Sequence, residues 1–353
     1  MKIDAFTHIF PKAYWERMTR VLPDGRDMNK RVRAIPSIVN LDARFRIMDE
    51  FGDDYRQILT LGSPPIESFP QQYAVELART ANDGMAELVC RYPERFTGFV
   101  ASLPMNDIDA ACAEAQRAID HLGALGVQVF TNIDGRPLYA PATLPLFDLL
   151  AKYDLPMWMH PARGAEVADY AGEKKSHSEI WWTLGWPYET SVAMAHMVFG
   201  GLFDRHPGFK LITHHMGGMI PYFEGRVGPG WDQLGTRTSD EDYGLLLKSM
   251  REKGKRPVDY FRNFYADTAL FGAHEATKCG LRFFGPEHTV FASDAPFDPE
   301  GGRAYIRYTI EILERLDLSP FERHAIYEGN IRRLCRLEQR ERTWKGLPST
   351  IAA

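Results

Sequence analysis

Cysteine is scarce in this chain: there are four in 353 residues, at positions 90, 112, 279 and 335, and no two are spaced Cys-x-x-Cys. That excludes a disulfide framework and a thiolate zinc knuckle, and it suits a reducing compartment. An excess of basic charge is also missing. Lys and Arg number 42 against 47 Asp and Glu, giving a formal net charge of −5 and a pI of 6.1, so nucleic acid is not an expected partner. Nowhere do about 18 apolar residues run together, so no membrane span is expected. Asp4 and His8 interrupt the stretch where an export signal would need an unbroken apolar core, and a cytoplasmic protein is the expectation. Internal repeats, low-complexity segments and a glycine-rich turn after the first strand are absent as well.

What the chain does hold is an alternation. Short runs rich in β-formers recur at 2–5, 57–61, 96–102, 127–130, 155–160, 209–214, 264–267 and 289–293, with helical patterns between most of them. Alternating strands and helices predict a parallel sheet. Eight such units without a glycine-rich first turn predict an α/β fold of the (β/α)8 barrel type. We expect one domain across residues 1–353, with insertions after strand 1 (11–40) and after strand 6 (228–257). Each insertion reads equally well as surface loop and as lid or dimer contact.

Chemistry gathers at the strand ends. Side chains alternate along a strand, so Phe6 and His8 share one face of the first strand and Thr7 takes the other. A later strand ends in His160 before Pro161, another in His214-His215, and another in Asp294. Alternation allows one of the two adjacent histidines to point inward, and His215 is the expected one, because Gly217 and Gly218 suit a tight exit just beyond it. Taken singly, a strand-end histidine is often structural and an aspartate before a helix is often a cap. Converging on one mouth, the four groups require a shared cation or proton.

These residues carry a resemblance. Ile3-Asp4 with His8, His160-Pro161, His215 with Gly217-Gly218 and Pro221, Ser293-Asp294 with Pro296, and Gly329-Asn330 resemble the metal-dependent amidohydrolase superfamily. Arg44 to Asp49, Gly185 to Glu189 and Gly225-Arg226 are similar to its decarboxylase branch, typified by aminocarboxymuconate-semialdehyde decarboxylase. The resemblance implies one divalent ion, zinc or manganese, on His8, His160 and Asp294, with His215 and Asp294 moving protons. It implies that Arg44 and Arg226 grip a substrate carboxylate by the guanidinium fork; in our own reading Arg163 is the alternative partner for Arg44, and Trp186 is either a wall of an aromatic pocket or, the reading its neighbours favour, packing under its loop. It also implies a homodimer, since the second arginine comes from across the dimer interface in the relative.

The departure is Phe6, where the superfamily places histidine or glutamate. Phenylalanine offers no lone pair, so either three ligands hold the ion, as in many catalytic zinc sites, or the metal is lost, or Phe6 stacks on an aromatic substrate. The leading expectation is decarboxylation of an aromatic or unsaturated carboxylic acid. Metal-dependent hydrolysis of an amide, lactone or carbon-carbon bond uses the same ligands, and a metal-free binding barrel is the reading outside enzymology.

Overall fold

A computed structural model describes residues 1–23, 27–237 and 241–339. Residues 24–26 of the first expected insertion, 238–240 of the second, and 340–353 lie outside the described residues.

The first strand, β1 (Lys2–Ile9), is buried at every position after Lys2, as a strand covered on both faces by a parallel architecture should be. It pairs in parallel with β2 (Tyr55–Leu61), which pairs with β3 (Phe96–Phe99). A short continuation of β3, Ala101–Ser102, pairs with β4 (Val127–Phe130). From there β5 (Met157–His160), β6 (Leu211–Thr213), β7 (Tyr265–Asp267) and β8 (Thr289–Val290) follow as sequential parallel neighbours. Backbone hydrogen bonds from Ala5 N to Phe291 O (2.8 Å), His8 N to Ala295 O (2.7 Å) and Asp294 N to Phe6 O (3.2 Å) then tie β1 to the segment leaving β8. The architecture is the expected (β/α)8 barrel.

Five expected strands are shorter in the structure, two of them, at 155–160 and 264–267, only at their starts. The run at 96–102 breaks at Val100, where its hydrogen bonds pass from one neighbour to the other. The sixth stops at Thr213 and the eighth at Val290, because the residues beyond them turn out of the ladder to build the mouth.

Inside the ring, Ile58, Trp158, Ile212 and Val290, from β2, β5, β6 and β8, and Val100 at the break in β3 pack into one fully buried cluster with Ala5 and Phe6. The Trp158 indole N–H donates to Ala5 O at 3.0 Å, satisfying the one polar atom such a ring brings into a core. The pairing of β1 shifts between Asp4 and Thr7. This bulge lets Ala5 and Phe6 both pack inward and sets His8 on the mouth side of them.

Around the strands, helices bury apolar stripes. The helix Gln71–Arg91 does so with Ala74, Leu77, Ala78, Ala81 and Met85 at helical spacing. Ile108–Leu122 starts under an Asp107 carboxylate that accepts from Ala110 N and ends at Gly123 with φ +75°, a conformation that glycine adopts without cost. The first insertion is a packed cover: Tyr14, Met18, Val32 and Ile38 join Trp181, Trp186 and Phe297 in a second apolar cluster. No helix among the described residues is long and apolar enough to cross a membrane.

Candidate functional site

At the C-terminal ends of the strands, ligand atoms of His8, His160, His214 and Asp294 all lie within 4.8 Å of one another, and all four residues are buried. The ring nitrogens can be assigned from their partners. His8 Nδ1 faces Leu61 O at 3.3 Å and Thr60 Oγ1 at 3.1 Å, and Thr60 gives its own proton to Thr7 O, so this nitrogen donates. His160 Nδ1 donates to Pro161 O at 2.7 Å. His214 Nδ1 donates to the Asp267 carboxylate, whose other oxygen accepts from His215 N and Ala269 N. Fixing the proton on Nδ1 leaves the lone pair on Nε2 in each neutral ring. The three Nε2 atoms and the Asp294 carboxylate therefore form a set of four electron-pair donors once His214 gives up its Nε2 proton.

The charges respond to this crowding. Burial, with His214 and His8 beside it, drives the His160 imidazole well below its ordinary range. Burial works against the charged form of His214 too, but Asp267 and Asp294 outweigh it and hold that ring at about 9. Asp294 is pulled well below the usual carboxylate range, despite its burial, by the His214 and His8 hydrogen bonds. It occupies left-handed backbone with φ +66°, which aspartate tolerates better than most residues, and this turn aims its carboxylate back across the mouth.

The adjacent histidines are where the expectation changes. Both side chains reach the mouth, with ring centroids 3.7 Å apart and planes 25° from parallel. Strand alternation does not apply because β6 ends at Thr213, and His215 and Met216 both have φ +53°. His215 Nδ1 donates to Ala269 O at 2.8 Å, and burial next to His214 lowers its pKa to about 4. His215 is thus neutral near pH 7, with an unprotonated Nε2.

Beside the cluster lies a cavity of about 250 Å³ whose lining includes His160, His215 and Asp294 and the aromatic rings of Trp182, Trp186, Phe271, Phe297 and Tyr305. Arg31, on the helix Asp27–Arg33 of the cover, is the one arginine or lysine among its described lining residues. Its guanidinium lies over the Trp182 and Phe297 rings, 4.9 and 5.3 Å from their centroids, and donates to Phe297 O at 2.5 Å. Only Trp186 among the expected substrate-binding residues lines this cavity. No periodic signal marks Arg31 in the sequence, because it sits in an insertion.

The other expected residues fall elsewhere. Arg44 is buried, with Nε on Gln57, Nη1 on His8 O and Nη2 on Thr7 Oγ1 at 2.7, 2.7 and 3.0 Å; burial lowers it to about 10. It braces β1 from behind and does not line the cavity, because its helix packs on the outside of the strand. Arg163 pairs with Glu189 at 3.0 Å and lines a neighbouring chamber. Arg226 is exposed. Phe6 has no exposed surface and stacks under His214, at 4.1 Å and 20°, outside the cavity lining. The bulge in β1 holds it one layer below the mouth, so the structure does not offer it to a substrate.

Comparison with known proteins agrees with this architecture. The family model described as Amidohydrolase matches residues 3–337. The chain is 31% identical over 311 residues to a gamma-resorcylate decarboxylase of Rhizobium radiobacter, covering 85% of this chain and 88% of the relative. It is 29% identical to 2-amino-3-carboxymuconate-6-semialdehyde decarboxylase of Dictyostelium discoideum, covering 84% and 82%. Its structure is similar to that of a dihydroxybenzoic acid decarboxylase from Polaromonas sp. JS666 with bound manganese and the inhibitor 2-nitroresorcinol, with a TM-score of 0.73, 26% identity, and coverage of 96% and 97%.

Proposed function

The chain belongs to the amidohydrolase family, and on that premise we propose that it is a metal-dependent carboxy-lyase that releases carbon dioxide from a small hydroxylated aromatic acid. The observation that carries this reading is the juxtaposition of an aromatic-walled cavity, one arginine and His215 with a buried His/Asp donor cluster. We assign His8, His160 and Asp294 as metal ligands. Imidazole and carboxylate donors without thiolate suit zinc or manganese, and their burial within one small group fits a resident ion. When bound, the ion supplies a positive charge that polarises the substrate oxygens beside the leaving carboxylate.

Arg31 holds the substrate carboxylate and the rings of Trp182, Trp186 and Phe297 sandwich the aromatic face. Neutral His215 takes the proton of a phenolic hydroxyl onto Nε2. The imidazolium so formed, acidic because it is buried, returns that proton to the ring carbon bearing the carboxylate. The carbon-carbon bond then breaks, its electron pair restores the aromatic ring, and carbon dioxide leaves. A solvent proton completes the phenol, so the net reaction consumes one proton per carbon dioxide released.

We further propose that the chain works as one domain in a cytoplasmic homodimer. Its four cysteines are widely spaced with no Cys-x-x-Cys pair, and exposed Arg226 lies near exposed Tyr222 in sequence, in keeping with an arginine that reaches a partner's cavity rather than its own. Sedimentation of the protein, with and without Arg226→Glu, tests the dimer: a monomeric wild type ends it. The reaction is tested by incubating manganese-loaded protein with gamma-resorcylate and related ortho-hydroxybenzoates and measuring carbon dioxide. Hydrolysis of amides or lactones without carbon dioxide release from any acid would replace this reading with the hydrolytic one.

A further inference from the structure

We propose that His214 supplies the metal ligand that Phe6 cannot, so that the ion is held by three imidazoles and one carboxylate, with the missing ligand moved from β1 to the end of β6. The assignment rests on the metal reading above and goes beyond its ligand set of His8, His160 and Asp294.

Three independent observations carry it. The first is position. Phe6 shares the inward face of β1 with His8, and its ring centroid lies 5.3 Å from that of His8 and 5.9 Å from that of His160. A coordinating side chain at residue 6 would thus enter the same cluster. The Phe6 ring instead stacks on His214, filling the space behind an imidazole that points into the cluster from the opposite side of the barrel.

The second is the direction of the ring nitrogens. His214 Nε2 lies 3.2 Å from Asp294 Oδ1, the oxygen that His8 Nε2 approaches at 3.0 Å. With Nδ1 of both rings committed to other acceptors, the two Nε2 atoms converge on one carboxylate oxygen, and a divalent ion there would take the place of the His214 Nε2 proton and draw on both nitrogens. His160 Nε2 completes the group from β5.

The third is the support behind the ring. His214 hands its Nδ1 proton to Asp267, and Asp267 is itself held by His215 N at 3.0 Å and Ala269 N at 3.1 Å. A carboxylate behind an imidazole is how metal-bound histidines are oriented and made more basic. A histidine present only to pack against Phe6 has no need of a buried carboxylate secured by two backbone amides. His215, by contrast, backs onto a neutral carbonyl and is not part of the four-donor group.

The test is titration of apoprotein with Mn²⁺ and Zn²⁺ alone, followed by calorimetry, together with X-ray absorption of the zinc-loaded wild type. Wild type is expected to bind one equivalent with three imidazoles in the shell. His214→Gln should weaken binding at least about 100-fold, whereas Phe6→Leu should leave it within a few-fold. Phe6→His in the His214→Gln background should recover most of the loss by restoring a donor on β1. A shell with two imidazoles, or His214→Gln binding as tightly as wild type, overturns the ligand assignment while leaving the metal centre standing. A wild type that binds neither ion overturns the metal centre itself. The absorption measurement needs no variant, so a His214→Gln protein that fails to fold does not rescue the idea.

Discussion

Two buried polar networks share strand β1 and differ in how completely they are satisfied. Behind the strand, Arg44 donates to Gln57, Thr7 and His8 O; Gln57 donates to Tyr55, and Tyr55 and Ser293 donate to Asp4. Each of these donors ends on an acceptor inside the protein. At the mouth, three imidazole Nε2 atoms and the Asp294 carboxylate converge on one centre, and two of those nitrogens crowd the same carboxylate oxygen. The difference separates scaffold from site: a network that closes on itself holds the barrel in shape, and one that converges without closing calls for a ligand.

The sharpest way to break this comparison is at the mouth. His215→Asn should lower kcat by roughly 10²- to 10⁴-fold while Mn²⁺ still binds, since His215 stands outside the four-donor group. Equal kcat in variant and wild type would remove His215 from the chemistry. In the closed network, Arg44→Met should cost roughly 2 to 4 kcal/mol of stability by stranding Gln57, Thr7 and a carbonyl. Chemical denaturation measures that cost, and KM in the surviving folded protein should stay near wild type. A large KM increase would instead return Arg44 to the substrate.

A smaller effect sharpens the contrast. Arg31→Met should reduce kcat/KM for the preferred acid by about 10- to 100-fold, mostly through KM, as expected for a lost charge-assisted hydrogen bond to carboxylate. An unchanged KM would mean that another group fixes the acid.

The smallest concerns Glu67, a buried carboxyl with an unpartnered oxygen but no converging donors. Burial pushes it up to about 8. A folded pKa above the unfolded one makes its stability contribution complete below about 4.5 and lost as pH climbs through 8. Relative to wild type, Glu67→Gln should therefore gain about 2 kcal/mol between pH 6 and pH 8. A pH-independent difference between the two proteins would show that Glu67 ionises normally.

Much of the barrel was legible in the sequence, because alternation of β-rich runs with amphipathic helices is a local pattern and each run has a counterpart in the structure. His8, His160 and Asp294 were legible for the same reason: a polar residue closing an apolar run marks a strand end. What sequence reasoning missed depends on backbone that leaves the regular pattern. His214 looked outward under strict alternation, and the positive φ at His215 and Met216 that brings both rings inward has no period-two signature. The Gly217-Gly218 pair beyond it was the available hint. Arg44 was misplaced because whether a helix arginine faces the mouth or the back of a strand is set by packing. Arg31 was passed over because the cover that carries it has no repeating pattern to place its side chains.

The central claim is that the strand-end donors hold an ion that decarboxylation needs. Its most direct test measures carbon dioxide released from gamma-resorcylate by the same protein as purified, after chelation, and after Mn²⁺ is restored, with bound metal counted at each stage. The account predicts about one ion per chain, loss of turnover when it is removed, and recovery when it is returned. Carbon dioxide release at an unchanged rate from fully chelated, metal-free protein would contradict it.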